Sequence, residues 1–346
     1  MKPNYRYYLK VCWVVLMSIS LLIILHQLLL KKYNNSPAIL PILIDPTILR
    51  CIDCPILKGQ NVHFASAEEF HFSLNVNVVF YRIDRNPSND FWVFEHNGEK
   101  RAVKRFSTQV ADFKGYKVRI PDDPKRFLWE WNRGHLLTCA NITMDRKSQN
   151  RVIPLSFVHE MASLRDQFVD HNVTLLMFGG TLLGWYRECS FIPHTTDVDF
   201  AVLIEEHSDT LNAELTNSKT FRFYWQLGKY LWIPLYPYSR NSSLSYNCGF
   251  VIDKKQIITY GMPRISKENI CAANFLGRLM YVPCNAKELI KTEYGDAWRE
   301  DYNSDNWSYR NNPKNIIEIK TLSNATFDSR VKYVNENAER LSAEDK

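Results

Sequence analysis

The distribution of apolar and polar residues divides the chain into segments with different predicted structures. Val11–Leu30 is apolar apart from two serines, His26 and Gln27, and about twenty such residues in a helix can cross a bilayer core. Residues 31–60 are Pro-rich and weakly patterned, which predicts a stem. Residues 61–150 hold short alternating apolar runs between turn-rich stretches, which predict a small β-rich region.

The second half of the chain begins with a helical pattern. Apolar residues recur at steps of three and four from Leu155 to Val169, which predicts an amphipathic helix. Val173–Phe178 is a continuous apolar run, typical of a strand that is buried on both faces. Thr181–Arg187 predicts a short helix with Thr181 able to cap it, and Val198–Ile204 predicts a second strand.

Two glycines, Gly179 and Gly180, lie between the first strand and the short helix and predict a turn. The segments together indicate an α+β domain over residues 151–320, with a mixed sheet and flanking helices. Its glycines and its D-x-D sequence, Asp197-Val-Asp199, lie at neighbouring strand ends. Residues 321–346 are left as a C-terminal tail.

The charges around the apolar run predict its orientation in a membrane. Three basic side chains lie within residues 1–10, whereas only Lys31 and Lys32 follow the run directly, so the positive-inside rule leaves the N-terminus in the cytosol. The run is longer than the apolar part of a cleaved signal peptide and lacks a small-x-small site behind it. We therefore expect residues 11–30 to be the uncleaved signal-anchor of a single-pass type II protein.

Sequons and cysteines agree with a body on the lumenal side. Seven of the 8 cysteines follow the predicted anchor, where oxidation can pair them, and the odd number leaves one thiol free or in an intermolecular bridge. For the C-x-x-C of Cys51 and Cys54, a local disulfide or separate bridges are favoured over a redox or zinc site. The N-x-[ST] sequons are Asn34, Asn141, Asn172, Asn241, Asn306 and Asn324.

The overall charge argues against one class of partner. The formal net charge is +6 over 346 residues, without a dense cluster of Lys and Arg. Nucleic acid is therefore not an expected partner. The sequence leaves the oligomeric state open.

The D-x-D sequence predicts a cation site. On a strand, residues two apart point to the same face, so Asp197 and Asp199 would present two carboxylates close together. Such a pair repels itself unless a cation lies between them, and Mg²⁺ or Mn²⁺ takes oxygen ligands from carboxylates and substrate phosphates. The alternative is that the D-x-D is a solvated or capped strand edge without a ligand.

The glycines predict the phosphate side of the same site. Without a Cβ, Gly179 and Gly180 let the backbone approach a phosphate, and the N–H groups that open the helix at Thr181 add a positive dipole end. Arg187 could bind a phosphate bidentately, although an exposed Arg at a helix end is equally ordinary. A plain turn is the alternative for the glycines, and His194 receives no role. The combination predicts a site for a nucleoside diphosphate and its metal.

The stretch "GGTLLGWYRECSFIPHTTDVDF" resembles the LicD/fukutin family, whose members carry G-T-L-L-G, an Arg, I-P and D-[IV]-D. "WQLGK" (Trp225–Lys229), "VPC" (Val282–Cys284) and "YGDAW" (Tyr294–Trp298) follow in the order that the family has them. The resemblance covers about Ile153–Asn312, close to half of the chain. It implies a nucleotidyltransferase fold and a phosphotransferase of the Golgi or endoplasmic reticulum membrane.

The resemblance also implies a reaction. LicD-like members transfer phosphocholine and fukutin-like members ribitol 5-phosphate, each from a CDP-linked donor to a glycan, with release of CMP. Carried over to this chain, Asp197 and Asp199 would hold the divalent metal, Mg²⁺ or Mn²⁺. Gly179, Gly180, Thr181 and Arg187 would contact the diphosphate of the donor.

One departure from the family pattern concerns the third carboxylate that the fold generally places on a later strand. The nearest candidate is Asp253 in "YNCGFVIDKKQIITYG", at a turn between two predicted strands. Without that carboxylate the protein could be an inactive member that acts as a scaffold or partner. A GT-A glycosyltransferase is a further alternative, since D-x-D and a type II anchor occur together in many of those enzymes.

Overall fold

A computed structural model describes residues 40–67, 76–146, 150–206, 208–216, 234–237, 244–251, 256–263, 265–302, 312–321 and 323–324. The predicted anchor at residues 11–30 and the candidate Asp253 lie outside the described residues. Within the described ranges, none of the helices has the length and apolar character needed to cross a membrane.

The described elements confirm an α+β protein. The helices are α1 (Pro46–Arg50), α2 (Pro124–Asn132), α3 (Val158–Asp170), α4 (Gly179–Glu188), α5 (Asp209–Thr216) and α6 (Ala286–Tyr294). The first group of strands is β1 (Ile42–Leu43), β2 (Asn61–Ser66), β3 (Asn77–Asp84), β4 (Phe91–His96), β5 (Glu99–Lys104), β6 (Thr108–Phe113), β7 (Tyr116–Pro121) and β8 (Leu136–Leu137). The second is β9 (Leu176–Met177), β10 (Phe200–Leu203), β11 (Pro234–Pro237), β12 (Leu244–Val251), β13 (Gln256–Pro263), β14 (Ile270–Phe275), β15 (Arg278–Pro283) and β16 (Ile316–Thr321).

The first sheet has the strand order β5-β4-β3-β2-β1-β7-β6. Its strand β1 comes from the segment that the sequence pattern predicts as a stem, and Ile42 and Leu43 are buried between β2 and β7. Helix α2 packs on this sheet through Phe127 and Trp131, whose rings lie against Phe94. The folded N-terminal region therefore begins before residue 61, within the segment that the sequence pattern predicts as a stem.

The second sheet carries the candidate chemistry. Its strand order is β16-β13-β12-β11-β10-β9-β15-β14-β8, and β9 and β10 are antiparallel neighbours with Phe200 opposite Met177. Residues 173–178 are all buried, as the apolar run predicts, although only Leu176–Met177 are paired as a strand. The predicted helix is also present, as α3 behind a single 3₁₀ turn at Leu155–Phe157.

The two sheets share packing contacts. Phe91 and Ala102 of the first sheet belong to the apolar core that surrounds β9, β14 and β15. The Asp90 carboxylate accepts hydrogen bonds from the Leu279 N–H at 2.7 Å and from the Arg165 guanidinium at 3.0 Å. The N-terminal sheet therefore supports the strands that position the site.

Three disulfides are present among the described residues. Cys51–Cys54 closes the C-x-x-C locally, as the sequence analysis favours, and the others are Cys139–Cys189 and Cys271–Cys284. Cys139–Cys189 attaches the segment after β8 to the residue that ends α4. This bridge fixes the end of the helix whose first residues form the site.

Candidate functional site

Helix α4 begins directly at the two glycines. The sequence-based prediction of a turn at Gly179-Gly180 is wrong, because both residues form the first turn of the helix and Phe178 is its extended N-cap residue. The Phe178 N–H donates to the Asp199 carbonyl at 3.1 Å, which sets the start of α4 beside the start of β10. Only Phe178 lies between β9 and α4, so no loop connects the strand to the helix.

Asp199 lies against this helix start. Gly179 has a φ of +49°, and a Cβ placed there would lie 2.8 Å from Asp199 Oδ2. The Gly180 N–H donates to the same oxygen at 3.1 Å. The Asp199 N–H in turn donates to Thr181 Oγ1 at 2.8 Å, so Thr181 holds the aspartate backbone and does not cap the helix.

The two carboxylates of the D-x-D differ in exposure. Asp197 is exposed and Asp199 is half-buried, and both precede β10, which begins at Phe200. Burial, followed by the negative charge of Asp197, raises the pKa of Asp199 to about 7, while the hydrogen bond from Gly180 lowers it. Thr195 Oγ1 lies 3.5 Å from Asp197 Oδ1. The charges of the two carboxylates therefore interact, but the prediction that both lie on a strand is wrong, because β10 begins only after them.

This donor set fits a divalent cation. Two repelling carboxylates, one of them driven toward its protonated form, gain stability from a positive charge placed between them. Within the described residues, no group of three or more His, Cys, Asp or Glu side chains is arranged to hold a metal ion. A pair of carboxylates suits Mg²⁺, which keeps water ligands and takes further oxygens from substrate phosphates. A closed structural zinc site does not match this arrangement.

Glu293, near the end of α6, is an acidic residue whose charge interacts with that of Asp199 and which sequence reasoning missed. Burial, followed by the charge of Asp199, raises the pKa of Glu293 to about 8. The phenol of Tyr294 also has a raised pKa, to which burial and the charges of Glu293 and Asp199 contribute. The available signal was the position of Glu293 directly before the "YGDAW" motif, which the sequence analysis used only as a family match.

Arg187 occupies a structural position. Its side chain is 2% exposed, and its Nε and Nη2 donate to Glu188 Oε1 at 2.8 and 2.6 Å. Its Nη1 donates to the carbonyls of Trp298 and Glu300. These contacts tie the end of α4 to the segment after α6. The predicted contact of Arg187 with a diphosphate is untested by this arrangement and stays a prediction.

A second arginine completes the same cluster of charges. Arg146 donates to both carboxylate oxygens of Glu188, at 2.6 and 2.7 Å, and to both of Asp301, at 2.7 Å each. His194 Nε2 lies 3.1 Å from Asp301 Oδ1. The cluster holds the loop that leads to Asp197 against α4 and the segment after α6, so that the position of the D-x-D depends on it.

Comparison with known proteins supports two domains. Residues 172–285 match the family model described as LicD/FKTN/FKRP, nucleotidyltransferase domain, which includes the glycines and the D-x-D. Residues 26–138 match the W02B3.4-like N-terminal domain, which covers the first sheet. The predicted resemblance to the LicD/fukutin family is thus confirmed for the part that carries the site.

Similar proteins extend over most of the chain. The uncharacterized protein T07A5.1 of Caenorhabditis elegans is 29% identical over 82% of this chain and 83% of its own length. The uncharacterized protein W02B3.4 of the same organism is 27% identical over 84% and 82%. Human ribitol-5-phosphate transferase FKTN is 22% identical over 62% of this chain and 50% of its own length. The similarity to FKTN therefore covers about half of that protein.

Proposed function

We propose that this chain, which carries a LicD/FKTN/FKRP nucleotidyltransferase domain, transfers a phosphorylated group from a CDP-linked donor to a glycan. The transferred group is a phospho-alditol such as ribitol 5-phosphate, or phosphocholine. The observation that carries the proposal is the packing of Asp199 against the glycine start of α4. This packing puts a carboxylate pair and the N–H groups of a helix start side by side, as a metal-bound diphosphate requires.

Different residues of the site would bind the metal and the diphosphate. Asp197 and Asp199 would hold Mg²⁺ or Mn²⁺. The amides of the first turn of α4, apart from that of Gly180, which donates to Asp199, would face the diphosphate. The bound cation would neutralise the charge that develops on the phosphate oxygens. An acceptor hydroxyl oxygen forms a bond to the phosphorus of the transferred group, and the bond from that phosphorus to CMP breaks. CMP leaves with the electron pair, and the acceptor proton is released.

The cellular setting is part of the same proposal. Residues 11–30 would anchor the protein in the Golgi or endoplasmic reticulum membrane as a type II protein, with the described residues in the lumen. The disulfides favour such an oxidising compartment, because they are rare in cytosolic proteins. The acceptor is then a glycan or glycoprotein, and FKTN, named as a ribitol-5-phosphate transferase, supports this substrate class.

The test is release of CMP by the full-length chain, purified in detergent. CDP-ribitol, CDP-glycerol and CDP-choline are each supplied with a mixed pool of glycan acceptors, with Mg²⁺, with Mn²⁺ or with EDTA. We expect release from one donor that requires the metal and that the Asp197→Asn, Asp199→Asn variant lacks. Asp296→Asn is the matched control, because its side chain is 99% exposed.

Three outcomes would contradict the proposal in different ways. Nucleotide binding with no release from any donor would favour an inactive family member that acts as a scaffold or partner. Release of UDP or GDP from a sugar nucleotide, with no CMP released, would favour a glycosyltransferase. Equal activity of the double variant and the wild-type chain would remove the carboxylate pair from the mechanism.

A further inference from the structure

The segment that follows β8 closes the end of helix α4. The Ala140 N–H donates to the Tyr186 carbonyl at 2.7 Å, and the Ile142 N–H donates to the Arg187 carbonyl at 2.6 Å. Carbonyls in the last turn of a helix have no donor within the helix, so this segment supplies the donors. The disulfide at the end of α4 joins the same two segments covalently. The backbone on both sides of residue 141 is therefore fixed in place.

The sequon Asn141-Ile142-Thr143 lies in this segment. Ile142 packs against the apolar core of the second sheet, whereas Asn141 and Thr143 are exposed. Asn141 has a φ of +52°, in the left-handed region that asparagine adopts more readily than most residues. Among the described residues, neither the Asn141 amide nor the Thr143 hydroxyl has a hydrogen-bond partner. The fold thus presents to solvent the two groups that define a sequon.

Asn172 belongs to a sequon with the opposite arrangement. Its third residue, Thr174, is 0% exposed. The Thr174 hydroxyl accepts from Arg133 Nε at 3.1 Å, and the Thr174 N–H donates to Glu206 Oε2 at 2.7 Å. Because N-glycosylation requires the hydroxyl of the third residue as well as the asparagine amide, the folded chain withholds this sequon from a transferase. The other sequons extend beyond the described residues.

We propose that Asn141 is an N-glycosylation site and carries an oligosaccharide in the mature protein. The donor class is an oligosaccharide joined to a lipid through a diphosphate. Asn141 Nδ2 forms a bond to the anomeric carbon of the first sugar, and the bond from that carbon to the diphosphate oxygen breaks. The lipid diphosphate leaves with the electron pair, and the amide nitrogen releases a proton. The inference rests on the lumenal setting of the proposed function, since sequons are modified in proteins of the secretory route.

The position of Asn141 separates the glycan from the candidate site. The segment around Asn141 contacts the last turn of α4, whereas Gly179 and Gly180 form its first turn. The helix has 10 residues and is therefore about 15 Å long. A bulky, hydrated glycan at Asn141 would cover the surface beside the end of α4 and leave the glycines and the carboxylates accessible.

The test uses the full-length chain, produced in cultured animal cells and purified in detergent. Digestion with peptide N-glycosidase in heavy-oxygen water labels each asparagine that carried a glycan, and peptide mass spectrometry locates the label. We expect label at Asn141 that is lost completely in Thr143→Ala. Thr143→Ser is the matched control, because serine keeps the hydroxyl that the sequon requires, and it should retain the label. Thr143→Ala should melt and release CMP like the wild-type chain, since Thr143 is exposed and far from the glycines.

The outcomes separate this inference from the proposed function. Label at other sequons with none at Asn141 would overturn the inference. So would label at Asn141 that persists in Thr143→Ala, because it would then arise without the sequon. A chain with no label at any sequon would overturn the inference together with the lumenal setting, whereas release of CMP by the same preparation would leave the proposed reaction intact.

Discussion

Gly179 has a backbone conformation that favours glycine, and its lack of a Cβ lets Asp199 approach the start of α4. Its φ of +49° disfavours any residue with a Cβ, and that Cβ would lie 2.8 Å from Asp199 Oδ2. We expect Gly179→Ala to lower the free energy of unfolding by more than the roughly 1 kcal/mol that such a backbone conformation costs alanine. The variant should also lose metal binding, because Asp199 has to move away.

The chain offers a control that separates the two causes. Gly115 has a φ of +85° and open space where a Cβ would lie, so Gly115→Ala reports the backbone cost alone. Chemical denaturation gives both free energies of unfolding, and titration with Mn²⁺ gives the affinities. Equal destabilisation by the two substitutions, with metal binding retained in both, would contradict the close approach of Asp199.

The titration of Asp199 predicts a dependence of stability on pH. Its pKa is raised from 3.8 to about 7 in the folded protein, so between these values the unfolded state loses the proton first and the folded state is progressively disfavoured. The penalty is absent below the lower value and complete above the upper one. Asp199→Asn should therefore stabilise the metal-free chain by up to about 4 kcal/mol above pH 7, and the difference should vanish as the pH falls toward 4.

Thermal unfolding in EDTA across this pH range measures the effect. Added Mn²⁺ should reverse the order of the two proteins, because only the wild-type chain gains stability from the bound ion. An Asp199→Asn chain that is less stable than the wild-type chain in EDTA above pH 7 would show that the carboxylate carries no such penalty.

The residues of the site differ in how far the sequence revealed them. Asp199, Gly179 and Gly180 form one local sequence pattern, and the structure brings them together. The predicted capping role of Thr181 was wrong, because propensity favours a cap whereas its hydroxyl accepts from the Asp199 N–H; its predicted contact with the diphosphate stays a prediction. Glu293 lies far along the chain from the D-x-D, and only the tertiary structure reveals that its charge interacts with that of Asp199.

At the scale of elements, the end of α4 depends on two buried arginines. Arg187→Met would leave Glu188 with Arg146 alone and remove the donor to the carbonyls of Trp298 and Glu300. We expect the free energy of unfolding to fall by about 3 kcal/mol, since Glu188 loses two charge-assisted hydrogen bonds and the two buried carbonyls lose their donor. The exposed Arg299 is the control, as Arg299→Met removes a neighbouring positive charge at little cost.

The same experiment decides between two roles for Arg187. A structural role predicts a lower melting temperature for Arg187→Met, measured without substrate. An unchanged melting temperature together with a raised KM for the donor would instead support contact with the diphosphate. The sequence could not decide this point, because an arginine near a helix end has the same local pattern whether its guanidinium is buried or exposed.

The elements themselves were predicted best where apolar residues follow a regular pattern. The apolar run at residues 173–178 is buried throughout, and the helical periodicity before it corresponds to the buried face of α3. Strand limits were less certain, since β9 pairs only at Leu176–Met177 and pairing depends on neighbours distant in sequence. The glycines were misassigned because glycine disfavours a helix interior by propensity, whereas here the absence of a Cβ admits a carboxylate.

At the scale of the whole molecule, the two sheets share one structural core. The sequence separates a β-rich region from the α+β domain, but it gives no sign that Asp90 of the first reaches Arg165 and the backbone of Leu279 in the second. Phe91 and Ala102 likewise pack into the core of the second sheet. A long-range contact of this kind leaves no periodic pattern in either segment.

This shared core predicts that the two regions unfold together. Calorimetry of the full-length chain should show one transition for both sheets, and Asp90→Asn should lower its temperature because Arg165 loses a charged partner while staying 2% exposed. We expect the free energy of unfolding to fall by about 2 kcal/mol. Asp122→Asn, which changes an exposed aspartate of the first region, should alter the stability little.

The same contact predicts an effect on the candidate site. Arg165 also donates to the Leu279 carbonyl of β15, and β15 pairs with β9 just before the glycines. The Asp90→Asn chain should therefore also bind Mn²⁺ more weakly. Two separate transitions in the wild-type chain, with only the lower one moved by Asp90→Asn, would show that the N-terminal sheet is an independent domain and not a support for the site.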